Sequence, residues 1–136
     1  MTPFPLKIVS PDGMAFEGMA EQLIVRTTTG DIGIQAGHTP CVAPLGMGRA
    51  SIVIDGKKRY AACIGGMLSV SRDGVTLVPT TFEFAEDIDM ARVEASYQRA
   101  QSVLNSKSAS DTDTDTKLAE ARLRRALVRK NVASTK

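Results

Sequence analysis

The pattern of hydrophobic and polar positions changes period once along the chain, near residue 84. Before that point, short apolar runs rich in β-branched residues occur at 6–9, 23–27, 51–54 and 60–64, and two alternating stretches follow at 68–71 and 75–78. Turn signals separate them: Pro11-Asp12-Gly13, Gly30-Asp31, Gly46-Met47-Gly48, Asp55-Gly56, Gly65-Gly66 and Asp73-Gly74. Turns at intervals of roughly ten residues between such runs are typical of an all-β sandwich or barrel.

Beyond residue 85 glycine and proline are absent, and the apolar positions take a helical period. One stripe is Val93, Tyr97, Ala100 and Leu104, and a second is Ala119, Leu123, Ala126 and Leu127. Such spacing places each set on one face of an α-helix, and the polar residues 106–116 connect the two. We therefore predict an all-β sandwich N-terminal domain over residues 1–84, followed by an α-helical antiparallel hairpin over residues 85–136.

The predicted helical hairpin has a thin apolar interface, because each stripe holds two large side chains with alanine between them. Burying a large apolar side chain contributes roughly 1.5 to 3 kcal/mol, whereas ordering a residue costs about 1 to 2 kcal/mol. Two outcomes stay open at this point. The hairpin either detaches or extends when another surface competes for it, or it is a fixed cap on the sandwich.

Composition narrows the function classes. The 136 residues are 43% hydrophobic, and the net charge of +2 is too small to indicate nucleic acid as a partner. Cys41 and Cys63 lie in apolar runs, so we expect buried free thiols, although a disulfide stays open. No signal peptide is recognisable at the N-terminus, and the apolar run at 60–68 is far shorter than the roughly 20 residues of a membrane helix. We expect a soluble protein.

The two predicted helices carry opposite charge. Residues 83–99 hold five acidic residues against two arginines, whereas residues 117–130 hold six basic residues against Glu120. Arg122, Arg125 and Arg129 form a basic stripe beside the apolar one. This stripe suits either an acidic partner or a solvated helix face.

The only histidine, His38, lies in a glycine-rich segment, residues 30–40, which we interpret as a surface turn. A zinc site takes about four ligands, and this histidine with two cysteines outside any Cys-x-x-Cys spacing does not supply them. No nucleophile with an oriented base accompanies it either. We predict no catalytic residue and no metal site, and we expect His38 to pin the loop or to meet a partner.

Two other segments resemble ligand-binding motifs but lack residues that those motifs require. Asp111, Asp113 and Asp115 imitate the start of an EF-hand loop, but Thr116 and Arg122 stand where glycine and glutamate are required. Residues 46–51 imitate a dinucleotide-binding loop without its last glycine, and they precede a strand instead of a helix. No active site assembles from these residues.

Several spaced motifs together indicate a family. They are Pro11-Asp12-Gly13 with Phe16-Glu17-Gly18, Gly30-Asp31-Ile32-Gly33-Ile34 with Gly37-His38-Thr39-Pro40, Gly65-Gly66-Met67-Leu68-Ser69-Val70, and Ala85-Glu86-Asp87-Ile88-Asp89. In this order, and over the whole chain, they resemble the epsilon subunit of the bacterial F-type ATP synthase.

The resemblance implies a non-catalytic central-stalk subunit on the cytoplasmic face of the cell membrane. In this family the sandwich binds the gamma subunit and the c ring, and loop positions matching Asp31 and His38 lie near those rotor contacts. The C-terminal helices inhibit ATP hydrolysis by extending toward the catalytic beta subunits. The stripe of Arg122, Arg125 and Arg129 fits that role.

The resemblance also implies ATP as a possible regulatory ligand, although no cofactor is required. Some bacterial members bind ATP through an Ile/Leu-Asp-x-x-Arg-Ala motif, which here reads from Ile88 to Arg92 with Val93 in place of the alanine. The implied ATP-binding residues are Glu83, Ile88, Asp89, Arg92, Arg99 and Arg122. Arg92 and Arg99 share a helix face, from which they reach toward phosphates together with Arg122.

A function of another class stays open beside this one. The chain would then be a free-standing β-sandwich ligand- or RNA-binding module with a basic helical tail. RNA binding calls for aromatic stacking platforms or a strong positive field, and the chain has two tyrosines, four phenylalanines and nearly balanced charge.

Overall fold

The computed structural model describes residues 2–105 and 113–134. Its strands are β1 (Phe4–Ser10), β2 (Gly13–Ala20), β3 (Gln22–Thr27), β4 (Gly30–Ile34), β5 (Cys41–Pro44), β6 (Met47–Ile54), β7 (Lys57–Ser71) and β8 (Gly74–Phe84). A 3₁₀ turn (Ala85–Asp87) leads to the helices α1 (Met90–Asn105) and α2 (Asp113–Ala133). The predicted fold class, a β-sandwich followed by two helices, is confirmed.

Strands β7 and β8 belong to both layers of the sandwich. Residues 67–70 of β7 pair with β5, and residues 75–77 of β8 run parallel to β1, which pairs with β2. These strands form the first layer. Residues 57–64 of β7 pair with β6, which continues to β3 and β4. That set, completed by residues 81–84 of β8, forms the second layer.

The glycine pair in β7 is a bend inside a strand, whereas the sequence indicated a turn. Gly65 and Gly66 have φ values of +68° and +102°, which L side chains rarely adopt. A Cβ atom on Gly66 would lie 2.0 Å from the carbonyl oxygen of Val78. The ladder nevertheless continues through Gly66 opposite Pro79. Glycine therefore allows β7 to bend from one layer into the other.

The core between the layers consists of aliphatic side chains from both. Its fully buried members include Leu6, Ile8, Leu23, Val25, Ile34, Ile52, Leu68 and Leu77. Their spacing of two within each strand follows the alternation of strand side chains. All of these residues except Ile34 lie in the runs predicted from the sequence.

Three strands were not predicted: β2, β4 and β5. The interpretation of residues 30–40 as one turn is wrong for its first half, which is β4. Gly33 pairs with Ile24 of β3, and Ile34 is buried opposite Leu23. The glycines of this segment resemble turn punctuation, but cross-strand pairing with β3 decides its conformation.

The helices form an antiparallel pair, since Lys130 near the end of α2 contacts Glu94 near the start of α1 at 3.0 Å. Val93, Ala100, Ala119 and Ala126 are buried as their stripes predicted. Leu127 is the exception, because it is 45% exposed, and Val132 and Ala133 are buried instead. α2 begins at Asp113, within the predicted connector, and residues 106–112 of that connector lie outside the described residues.

The helical hairpin packs against the second layer of the sandwich. A cluster of buried side chains joins them, made of Ala62, Ala85, Ile88, Val93, Val132 and Ala133. Three of these six side chains are alanines, so the docked interface buries little apolar surface per residue. The structure shows the hairpin docked, an arrangement that fits both a detachable hairpin and a fixed cap.

Both cysteines are free thiols, but only one is buried. Cys63 is 3% exposed in the core, whereas Cys41 on β5 is half-buried at the edge of the first layer. The expectation of two buried thiols is therefore wrong for Cys41. Burial raises the pKa of the Cys63 thiol to about 12, since an apolar surrounding disfavours the thiolate.

Candidate functional site

His38 lies in the loop between β4 and β5. Its backbone N–H donates to the carbonyl oxygen of Gln35 at 3.2 Å, and its Nδ1 lies 2.7 Å from the carbonyl oxygen of Thr39. A carbonyl oxygen only accepts, so Nδ1 carries the proton and Nε2 is left for another contact. The ring lines a cavity of about 540 Å³ together with Phe4 and Arg72.

Asp31 lies elsewhere, on β4. Its Oδ1 accepts from Nε of Arg26, directly opposite on β3, at 2.9 Å, and both side chains are more than half exposed. It borders a groove on the outer face of the second layer, a different cavity from that of His38. The two predicted rotor-contact residues therefore do not share a cavity in the described residues.

Ile88 and Asp89 support the start of α1. Ile88 is buried in the interface between the hairpin and the sandwich, as is Val93. Oδ1 of Asp89 accepts from the backbone N–H of Arg92 at 3.2 Å, which makes Asp89 the N-cap of the helix. The side chains of Arg92 and Arg99 point into solvent.

Glu83 of β8 and Arg122 of α2 lie beside different parts of the hairpin. Glu83 on β8 faces Arg129 of α2 at 3.7 Å. Arg122 is exposed, and at roughly 1.5 Å per residue it lies about 12 Å along α2 from Lys130. Because Lys130 is beside Glu94, Arg122 is distant from Arg92 along the hairpin.

The basic stripe of α2 has three different surroundings. Arg122 is exposed, and Arg125 is half-buried with Nε donating to the carbonyl oxygen of Ala121 at 3.4 Å. Arg129 is half-buried against the sandwich, beside Glu83, and its Nε atom is buried with no hydrogen-bond partner among the described residues. In the compact hairpin the stripe is therefore only partly open to a partner.

An apolar row crosses the outer face of the first layer. Pro44, Met67 and Val78 lie directly opposite one another on β5, β7 and β8. Met67 is 44% and Val78 47% exposed, and Val42, two residues before Pro44, is 66% exposed. We call these four residues the outer apolar row. Exposed apolar side chains that adjoin in this way mark interaction surfaces more often than isolated ones do.

Two family models match the chain. The first, ATP synthase, Delta/Epsilon chain, beta-sandwich domain, covers residues 3–85. The second, ATP synthase, Delta/Epsilon chain, long alpha-helix domain, covers residues 86–134.

Curated relatives are similar over nearly the whole length. The ATP synthase epsilon chain of Bacillus velezensis is 42% identical over 128 residues, which are 94% of this chain and 95% of the relative. That of Ruminococcus albus is 42% identical over 137 residues and is matched over the full length of both. The chain belongs to the ATP synthase epsilon-chain family. This membership favours the resemblance over the free-standing ligand- or RNA-binding module.

Solved structures with the epsilon-chain fold are similar at lower identity. A chain of the Euglena gracilis mitochondrial ATP synthase, in a structure of OSCP, F1 and c-ring, matches with a TM-score of 0.80 and 22% identity. The match covers 100% of this chain and 83% of the other. A chain from the central stalk and c-ring of the Tetrahymena thermophila enzyme matches with a TM-score of 0.60 and 14% identity, over 97% of both. At these identities the likeness establishes the fold.

Some features of this chain were not foreseen from the sequence. Arg59 on β7 joins the sandwich to the 3₁₀ turn, because its Nε donates to Glu86 at 3.0 Å and its guanidinium stacks on the Phe84 ring at 3.7 Å. The outer apolar row was missed as well. Its only sequence signal is that Met67 and Val78 occupy the outward positions of alternating strands, which needs the strand register to be interpreted.

The part of the chain that the structure describes contains no cluster of His, Cys, Asp or Glu able to hold a metal ion. Among the same residues, no helix is long and apolar enough to cross a membrane.

Proposed function

We propose that this chain is a non-catalytic central-stalk subunit of a proton-translocating F-type ATP synthase. It couples rotation of the c ring to the catalytic head and inhibits ATP hydrolysis through its C-terminal helices. Membership of the epsilon-chain family supports the assignment, as do structural relatives from a central stalk and from an F1 and c-ring assembly. In this role the protein is peripheral to the membrane, on its cytoplasmic side, and has no active site of its own.

The observation that carries the proposal is that one face of the sandwich is covered by the hairpin and the other is free. The hairpin packs on the second layer, whereas the outer apolar row on the first layer is exposed. We assign this row to the gamma subunit. A central apolar patch of this kind supplies most of the binding free energy in an interface when it becomes dehydrated.

The loop at residues 35–40 is assigned to the c ring. His38 has Nε2 available, since Nδ1 is bonded to Thr39. Asp31 lies outside this loop, on β4, but it retains exposed carboxylate surface beside its ion pair with Arg26 and is assigned to the same partner. Charged and polar groups of this kind set register and specificity more than affinity.

The inhibitory role is assigned to α2. Undocking removes Arg129 from Glu83 and presents the whole stripe of Arg122, Arg125 and Arg129 to an acidic segment of the beta subunits. The alanine-rich docked interface supports a low free-energy cost for this step.

ATP is assigned as a regulatory ligand of the compact hairpin. Among the described residues, Arg92, Arg99 and Arg122 form no ion pair with a carboxylate, so their charges are available to phosphate groups. Glu83, Ile88 and Asp89 complete the proposed set. Arg122 and Arg92 lie apart along the hairpin, so they would bind different parts of the ligand. The ion pair of Glu83 with Arg129 and the burial of Ile88 in one cluster with Val132 would hold the hairpin compact around it, whereas Asp89 caps α1.

The gamma assignment is tested by charge in the outer apolar row. The double variant Met67→Glu, Val78→Glu should bind purified gamma subunit at least about 30-fold more weakly, since it places carboxylates at the centre of the contact. Met14→Glu is the matched control, because Met14 is similarly exposed but lies on β2 at the far edge of the first layer. Affinity is measured by isothermal titration calorimetry.

Unchanged affinity of the double variant for gamma would contradict the assignment. A second arm uses the assembled c ring, on which His38→Ala and Asp31→Lys should reduce retention of the gamma complex while leaving gamma binding intact. If both variants assembled with the c ring like the parent chain, the loop assignment would be abandoned.

A further inference from the structure

A groove of about 580 Å³ lies between the outer face of the second layer and the last turns of α2. Strands β3, β6 and β7 form its floor, and Val128 and Asn131 of α2 form one wall. The outer apolar row faces the opposite side of the sandwich. The residues proposed above for ATP, from Glu83 to Arg122, are absent from its lining.

Three cations surround the groove. Arg26 is paired with Asp31 at 2.9 Å, so the only carboxylate in the lining is already bound. Arg49 and Lys58 form no ion pair with any described carboxylate. The lining therefore carries two uncompensated positive charges.

The floor holds these cations in place. The guanidinium of Arg49 stacks on the ring of Tyr60 at 4.6 Å, which limits its freedom without consuming its N–H donors. Tyr60 lies opposite Ser51 in the ladder between β6 and β7. Gly48 keeps space for Arg26, since a Cβ atom there would lie 2.7 Å from Cβ of Arg26.

Neutral donors complete the site. Ser51 is 8% exposed, and its hydroxyl makes no hydrogen bond within the described part of the chain. Asn131 brings a side-chain amide from α2 to the opposite wall. A hydroxyl and an amide beside two free cations suit an anion with several acceptor oxygens.

We propose that this groove binds a small phosphate-bearing anion, such as pyrophosphate or the phosphate chain of a nucleotide. Arg49 supplies a planar set of donors and Lys58 a point charge, the two kinds of cation that proteins use for phosphate. The volume falls within the range of small-molecule sites.

Anion binding here is linked to the position of the hairpin. One wall belongs to α2, so the complete groove exists only while the hairpin is docked. A ligand that prefers the complete groove stabilises the docked state in proportion to its binding. The proposal rests on the contacts of this groove and not on the central-stalk role, with which it shares only Asp31.

The test uses the full chain, titrated with sodium pyrophosphate and separately with ATP, both without metal ions, in about 50 mM salt to limit screening. Arg49→Gln and Lys58→Gln should each raise the dissociation constant at least about tenfold. Lys57→Gln is the matched control, since it removes the same charge from the neighbouring residue, which does not line the groove. Thermal melts check that each variant folds. If Arg49→Gln does not fold, the result with Lys58→Gln decides the test.

Arg92→Gln separates this site from the ATP site proposed on the hairpin. Binding that Lys58→Gln weakens and Arg92→Gln leaves unchanged supports the groove, whether or not ATP binds more tightly than pyrophosphate. Binding that follows Arg92→Gln and ignores Lys58→Gln would place the anion on the hairpin and overturn the proposal. Absence of heat and of chemical-shift changes with both anions would overturn it as well.

Discussion

The two cysteines differ in how far the fold removes them from water. Cys63 lies in the core with its pKa raised to about 12, whereas Cys41 is half-buried on β5. The thiolate is the reactive form, so a disulfide reagent such as Ellman's reagent should modify Cys41 in the folded protein at mildly alkaline pH. Cys63 should react only after unfolding.

The control for this prediction is Cys41→Ser, which should abolish the fast phase of modification. Two thiols reacting at the same rate would contradict the burial of Cys63.

The raised pKa of Cys63 also makes stability depend on pH. The contribution of this thiol to the free energy of unfolding is complete below the pKa of 9.0 that it has in the unfolded chain, and is lost as the pH rises toward about 12. Cys63→Ala should accordingly flatten the decline of the melting temperature above pH 9.0.

At the scale of single residues, the sequence indicated which residues to single out but not which side chains they would contact. The family motifs located Asp31, His38 and Asp89, but the ion pair of Asp31 with Arg26 arises between strands. Likewise, Arg129 was assigned to an open stripe, and the fold places it against Glu83 of β8. Such partners are distant along the chain, so their meeting depends on strand register and helix docking.

Periodicity predicted the helices well because their stripes reflect local geometry. It failed at Leu127, since α2 packs simultaneously on α1 and on the sandwich. The second contact favours Val132 and Ala133. The strands β2, β4 and β5 were missed for a related reason: they contain glycine or proline and are stabilised by their neighbours in the sheet.

Docking of the hairpin should depend on Val132, whose side chain is fully buried. Val132→Ala removes two buried carbons, roughly 1.5 kcal/mol, and should shift the equilibrium toward the undocked hairpin by about tenfold. Hydrogen exchange of the α2 amides should accelerate accordingly, while exchange in the sandwich core stays unchanged.

Leu127→Ala is the matched control at the element scale, because Leu127 is on the same helix and largely exposed. Its exchange rates should remain close to those of the parent chain. Equal acceleration by both substitutions would show that helix stability alone, and not docking, controls exchange in α2.

Acid should weaken the contact of Lys130 on α2 with Glu94 on α1. The Lys130 ammonium hydrogen-bonds Glu94 and, with the amide of Gln98, lowers the pKa of that carboxyl below its usual 4.5. A depressed pKa contributes stability above the unfolded value, which is lost as the pH falls through the folded value. Because Glu94 is exposed to solvent, this contribution is modest.

At the scale of the whole molecule, the surfaces proposed for the different partners lie on different parts of the compact structure. The first layer presents the outer apolar row, and the loop at residues 35–40 lies at the end of the sandwich near Phe4 and Val70. The second layer holds the hairpin and, with it, part of the basic stripe. In the proposed function, inhibition requires the hairpin to leave this layer, so docking opposes inhibition.

ATP hydrolysis by the reconstituted synthase tests this account most directly. Complexes carrying the full chain are compared with complexes whose chain ends at Asn105, and with Arg125→Glu and the control Arg124→Glu, which lies outside the stripe. Arg125 belongs to the stripe and not to the proposed ATP site. The account predicts faster hydrolysis after truncation and after Arg125→Glu, with ATP synthesis retained and Arg124→Glu close to the parent chain. Equal hydrolysis rates in the intact and truncated complexes would contradict it.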